Sequence, residues 1–122
     1  MLGAVTIDLD GARHYHAIHG LRPPSATDPL LTRAFPRFLD LCREEGVRAT
    51  LFVVGSDLDD PAYAALVRQA HADGHEVASH SFSHDYRLSA WTAPAMRADL
   101  LAAREAIARV TGQAPAGFRA PG

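Results

Sequence analysis

The chain has no lysine: its twelve basic side chains are all arginine, spread along the sequence without a cluster. Fourteen acidic residues bring the formal net charge to -2. There is thus no basic surface of the kind that phosphate backbones demand, and nucleic acid is excluded as an expected partner. The single cysteine, Cys42, rules out an intramolecular disulfide. Set in an apolar helical pattern, it reads as a small core side chain rather than a reactive thiol. No stretch approaches the roughly 18 apolar residues that a membrane-spanning helix needs. The N-terminus reaches Asp8 without a basic flank or a signal-like apolar segment, so no membrane span and a cytoplasmic location are expected. Internal repeats, low-complexity tracts and linkers are also missing.

What is present is enough for one modest domain: 122 residues, 48% of them hydrophobic, which can bury a core and argues against disorder. Leu2 to Ile7 reads as a buried strand, followed at once by Asp8-Leu9-Asp10-Gly11. Gly11 to Thr27, containing His14, His16 and His19, reads as a long connection, the kind of loop that is often functional. Asp28-Pro29 then opens a helical stretch with Phe35, Phe38, Leu39, Leu41 and Cys42 on its apolar face, divided by Pro36 and stopped at Gly46. Val47 to Gly55 is the clearest strand. Asp60-Pro61 caps a second helix with Tyr63, Leu66, Val67 and Ala70 at helical spacing, ended by Gly74. Glu76 to Ser79 is a short buried strand. Thr92 and Pro94 open a third helix with Met96, Leu100, Ala103, Ile107 and Val110 on one face, stopped by Gly112, and a last strand is expected around Phe118. This alternation predicts an α/β fold with a mostly parallel sheet.

In such folds the ligand site forms where the C-terminal ends of the strands converge. Asp8, Asp10, His80, His84 and Arg119 all fall at or just after expected strand ends. Independent surface residues have no reason to line up in this way. His80 and His84 are separated by three residues, a spacing that places two imidazoles on the same side of a helical turn. On spacing alone, a metal-ligand pair and two surface histidines are equal readings. With Asp10 as an oxygen ligand, the set leaves a position open, as a catalytic metal site requires. Asp8 is then positioned to act as a general base and Arg119 to pair with it, which implies hydrolysis of a carbonyl compound such as an amide. A solvent-exposed arginine is the plainer reading of Arg119.

Four stretches, in order, resemble the polysaccharide deacetylases with a NodB-like domain: Thr6-Ile7-Asp8-Leu9-Asp10-Gly11, Ala49-Thr50-Leu51-Phe52-Val53-Val54-Gly55, His75 through His84, and Gly117-Phe118-Arg119-Ala120-Pro121. The resemblance implies part of a distorted (β/α) barrel of mostly parallel strands. It implies Asp8 as the base, Arg119 as the residue that orients it, and Asp10, His80 and His84 as ligands of a divalent metal, zinc by default. The substrate implied is an N-acylated carbohydrate that loses its acyl group by carbon-nitrogen bond cleavage. The first motif has leucine between the two acids, as in an Asp-x-Asp subgroup, and the roles of Asp8 and Asp10 are open to exchange. The last motif is Arg-Ala-Pro-Gly where the family commonly has Arg-Pro-Pro-Tyr. By the same resemblance, residues 1–122 are the N-terminal portion of one such domain, without the later strands and the histidine that protonates the leaving amine. Four strands cannot close a barrel, so an open sheet edge and self-association through it are expected.

Two other classes compete. A strand ending in Asp-x-Asp-Gly also opens haloacid-dehalogenase-like phosphatases and would recruit Ser56, but that reading leaves the histidine pair unused and finds no lysine to neutralise phosphate. An inactive fragment that only binds metal or glycan is the other. His14, His16 and His19 read as solvent-exposed loop histidines ahead of a role lining the substrate groove, His71 and His75 as structural or solvated, and Trp91 as either a sugar platform or a packing residue.

Overall fold

The computed structural model describes residues 3–22 and 28–122; Pro23 and Pro24 of the expected connection lie outside that range. Three strands, β1 (Val5–Leu9), β2 (Ala49–Val53) and β3 (Glu76–Ser79), form a parallel sheet in the order β1-β2-β3. Val5 faces Ala49 and Leu9 faces Val53 in one ladder, and Thr50 faces Glu76 in the other. The expected fourth strand is reduced to an isolated parallel bridge between Ser79 and Phe118.

The central strand is the most apolar and the most completely covered: Leu51 and Val53 have no exposed surface, nor does Val54 beyond its end. β1, expected to be buried, is an edge strand with only Leu9 fully covered and Val5 41% exposed. It has one neighbour, so its outer side lacks the covering layer that a strand inside a parallel sheet receives.

Among the described residues there are four α-helices: α1 (Ala12–Ile18), α2 (Phe35–Glu44), α3 (Pro61–Ala72) and α4 (Ala93–Thr111). A π-helical turn, Leu30–Ala34, leads into α2, and the change to regular helix comes beside Pro36, which has no N–H to donate. Phe35, Leu39 and Cys42, spaced four and three apart, face the core. Leu41, expected with them, is 54% exposed, because two positions from Leu39 is about 200° around a helix. The Asp60 carboxylate accepts from the N–H groups of Ala62 and Tyr63 to cap α3. Gly112, at φ 78°, closes α4 in the left-handed conformation that a side chain resists.

The first helix corrects the expectation of a loop from Gly11 onward. It has no capping side chain of its own. Its first amides are satisfied from a distance: Ala12 N–H donates to the Asp28 carboxylate and Gly11 N–H to Asp57 at 3.4 Å. Tertiary contacts thus supply what the local sequence lacks.

The core lies between the sheet and α2, α3 and α4, with Tyr63, Val67, Ala70, Ala106 and Ile107 almost wholly buried within it. Among the described residues no helix is long and apolar enough to cross a membrane.

Candidate active site

The C-terminal ends of the strands deliver the site. Asp8 is the penultimate residue of β1, Asp10 follows it, His80 follows β3, and Arg119 follows the Phe118 bridge. All five residues singled out in the sequence lie at this one end of the sheet and fall into two contacting groups. In the first, Asp10 Oδ1 lies 3.4 Å from His80 Nε2 and 3.3 Å from His84 Nε2, and the three potential ligand atoms all lie within 4.8 Å of one another. In the second, Arg119 Nη1 donates to Asp8 Oδ1 at 2.5 Å and Nη2 to Thr6 Oγ1 at 3.0 Å, with the guanidinium carbon 4.0 Å above the Phe52 ring.

The first group has the chemistry of a cation site. His80 Nδ1 lies 2.8 Å from the Arg119 carbonyl oxygen; a carbonyl only accepts, so Nδ1 carries the proton and Nε2 presents its lone pair to Asp10. Asp10 Oδ1 and His84 Nε2 are buried without a hydrogen-bond partner. Buried polar atoms left unpartnered at this spacing are costly unless a cation lies among them. For a tetrahedral zinc with bonds of about 2.0–2.1 Å, neighbouring ligand atoms stand about 3.4 Å apart, the spacing seen from Asp10 to each imidazole. The residues therefore fit a divalent ion.

Burial works to raise the pKa of Asp10, and the close approach of the His84 and His80 imidazoles with the Tyr15 hydroxyl outweighs it, leaving the carboxyl below its usual range. Tyr15 O–H donates to the other oxygen, Oδ2, at 3.2 Å. An acid held in its charged form is what a ligand to a cation needs.

The histidine pair is not built on a helical turn. Residues 80–84 form a loop in which Ser81 (φ 65°) and His84 (φ 55°) are both left-handed. Such non-glycine positions cost about 1–3 kcal/mol each and persist where the surroundings over-determine them. The ties here are visible. Ser81 Oγ accepts from His84 N–H at 3.0 Å, the Ser81 and Phe82 carbonyls accept from Gly55 and Ser56 N–H, and the Asp99 carboxylate accepts from Phe82 and Ser83 N–H.

His14, expected in solvent, is buried on α1 with its ring 4.6 Å from that of His84. Its Nε2 lies 3.0 Å from both oxygens of Asp57, itself 5% exposed and 2.6 Å from the Arg13 guanidinium. Sequence reasoning missed Asp57, although it follows β2 as the other acids follow β1 and the same positional rule would have found it. A cleft of about 510 Å3 opens beside His84, lined also by His14, Ile18, Tyr86 and Arg87. Trp91 lines a different groove, with Pro94, Met96 and Leu100, none of which belongs to the Asp10, His80 and His84 cluster. His75 plays the structural part expected of it, its buried Nδ1 accepting from Ala49 N–H at 3.1 Å.

Residues 23–122 match the family described as polysaccharide deacetylase. The chain belongs to that family. This polysaccharide deacetylase homologue is 35% identical over 82 residues to chitin deacetylase 2 of Cryptococcus neoformans, covering 67% of this chain and 17% of that protein. It is 27% identical over 86 residues to the peptidoglycan-N-acetylglucosamine deacetylase of Bacillus cereus, covering 70% and 30%. In structure it is similar to the Xyl-CE4 domain of a multidomain xylanase from the hindgut metagenome of Trinervitermes trinervoides, with TM-score 0.72 and 24% identity over 97% of this chain and 47% of that one. The chain thus spans less than half of each of these proteins, and its three parallel strands and helices are part of a distorted (β/α) barrel. The phosphatase alternative finds no support: the family match is to deacetylases, and the Ser56 hydroxyl that it would recruit accepts from Arg13 at 2.8 Å.

Proposed function

We propose that this chain carries the metal-binding and base half of a deacetylase that hydrolyses the amide of an N-acetylated sugar, with a divalent ion, zinc by preference, held by Asp10, His80 and His84. The observation that carries the reading is the pair of distances, 3.4 and 3.3 Å, from one Asp10 oxygen to two imidazole nitrogens, with that oxygen and His84 Nε2 buried and lacking a hydrogen-bond partner. Its relatives' names supply the substrate class, since the amide of N-acetylglucosamine is shared by chitin and peptidoglycan.

When bound, the ion supplies Lewis-acid polarisation of the acyl carbonyl and makes water more acidic. Asp8 stands in the role of general base and takes a proton from the attacking water. Arg119 aims it, gripping one carboxylate oxygen and resting on the Phe52 ring, which limits the rotamers open to the pair. Water's oxygen joins the acyl carbon as the C–N bond breaks, and the proton is returned to the departing amine, so water enters and acetate and a free amine leave. His14, packed at a tilt against His84 and held by Asp57, walls one side of the cleft where the sugar would lie.

The test is acetate release from an N-acetylated chito-oligosaccharide, with and without chelation and zinc restoration, beside a calorimetric zinc titration. We expect about one ion per chain, acetate release that depends on it in a protein that joins residues 1–122 to the amine-protonating part of such a domain, and loss of tight zinc binding in His80→Ala and in His84→Ala. Unchanged zinc binding in both variants would reject the ligand assignment. Zinc binding without acetate release would favour a chain that binds metal or glycan alone.

A further inference from the structure

His80 and His84 stand on a loop rather than on a helix, so their spacing does not by itself bring the imidazoles together. Something outside the loop has to hold it. We infer that Asp99, in the second turn of α4, is the positioning residue that turns His84 toward Asp10 and so makes the histidine pair a metal site. The inference rests on the metal reading given above.

Both oxygens of the Asp99 carboxylate are engaged with the main chain between the two histidines. Oδ2 accepts from Phe82 N–H at 2.8 Å and Oδ1 from Ser83 N–H at 3.0 Å. Asp99 is 8% exposed, so water does not compete for these bonds as it would at the surface. The remaining ties of the loop are of other kinds. His80 N–H donates to the Val53 carbonyl, and Gly55 and Ser56 N–H donate to the Ser81 and Phe82 carbonyls, which fix the first half of the loop to the end of β2. His84 N–H donates to Ser81 Oγ, within the loop itself. Among the described residues Asp99 is the one side chain from outside the loop that bonds to its main chain, and it does so at the two residues between the left-handed positions Ser81 and His84.

The acceptor also has the right form. Two successive amides point at one carboxylate, and a charged acceptor with two oxygens satisfies both at once. α4 is fixed at the distance this requires, because a Cβ on Gly55 would come within 2.9 Å of the Ala103 main chain, one turn further along the same helix. The loop is thus gripped between β2 and α4.

Asp99→Asn keeps size and shape but offers one acceptor in place of two. The expected result is zinc affinity at least about tenfold weaker in a chelator-competition titration, the scale for losing an outer partner of a metal ligand. The visible absorption of the cobalt-substituted protein is expected to change with it, since that spectrum reports ligand geometry rather than stability. A lower melting temperature with wild-type zinc affinity and cobalt spectrum would give Asp99 a merely structural part and overturn the inference. Should Asp99→Asn fail to fold by circular dichroism, Asp99→Glu retains both acceptors on a longer arm and displaces the loop. Weaker zinc binding and shifted cobalt bands in that variant support the inference, and wild-type values overturn it. Wild-type protein that binds no zinc would remove the metal reading, and this inference with it, whereas wild-type affinity in a variant removes the inference alone.

Discussion

The Arg119 main-chain carbonyl accepts a hydrogen bond from His80 Nδ1–H at 2.8 Å, while the guanidinium of the same residue grips Asp8 at 2.5 Å. One residue therefore touches both groups of the site, the Asp10, His80 and His84 cluster through its backbone and Asp8 through its side chain. These two contacts can be separated by mutation. Arg119→Lys leaves the carbonyl in place but loses the planar fork and the stacking on Phe52. Zinc affinity should stay within about twofold of wild type while kcat falls by roughly tenfold or more, the scale of a lost supporting contact. Parallel zinc titration and acetate-release assays check this; a collapse of zinc affinity would mean that the side chain supports the cluster directly.

Asp8 and Asp10 are two residues apart and differ in their partners: Arg119 for the first, His80 and His84 for the second. Asp8→Asn should retain zinc and lower kcat by about a hundredfold or more, as expected for losing a general base. Asp10→Asn should weaken zinc binding first. The opposite pattern would exchange the two roles and leave the location of the site unchanged.

The Asp57 carboxyl lies below its usual range: burial works to raise it, and the hydrogen bond and charge of His14, with the Arg13 guanidinium, outweigh burial. With the folded-state value depressed, the unfolded chain takes up the proton first. The stabilisation is then complete above the ordinary carboxylate value of about 3.9 and is lost as pH falls through the folded value. Asp57→Asn should lower stability at neutral pH and flatten its decline in acid. Urea unfolding at a series of pH values from neutral to about 3 measures both, and an unchanged acid slope would show that Asp57 does not carry the dependence.

Gly55 has no room for a side chain: a Cβ would lie 2.8 Å from Phe82 and 2.9 Å from the Ala103 backbone. Gly55→Ala should destabilise by about 1–3 kcal/mol, the usual range for overpacking. Because Phe82 is in the ligand loop, zinc affinity should fall as well. Thermal unfolding with a zinc titration reads both effects; loss of stability alone would mean that the loop absorbs the shift.

The outer side of β1 has no strand partner among the described residues, and Val5 there and Phe118 at the opposite margin are 41% and 48% exposed. Unpaired N–H and C=O groups beside apolar side chains invite strand addition. The 122-residue polypeptide is expected to self-associate with rising concentration, as seen by size-exclusion chromatography with light scattering. A monomer at all concentrations would refute this. Val5→Lys is expected to weaken the association.

Much of the scaffold is written locally. β2 ends in the apolar run Leu51-Phe52-Val53, α3 opens on Asp60-Pro61, α4 is capped by Thr92 and Gly112, and each of these signals acts within a few residues. The site residues were legible for a related reason. Asp8, Asp10, His80, His84 and Arg119 follow apolar strands, and parallel strands bring their C-terminal ends together whatever lies between them. Where the sequence misled, the deciding contacts span long separations. α1 forms because Asp28 and Asp57 receive its first amides, so no local reading reveals it, and with it His14 moves from solvent to a place beside His84. The histidine spacing suggested a helical turn, but the backbone takes two left-handed residues held from β2 and from Asp99, fifteen residues further on than His84. Sequence alone determined which groups stand at the strand ends. The tertiary structure decided how they face one another, because the caps and carboxylates that set those orientations come from elements distant in the chain.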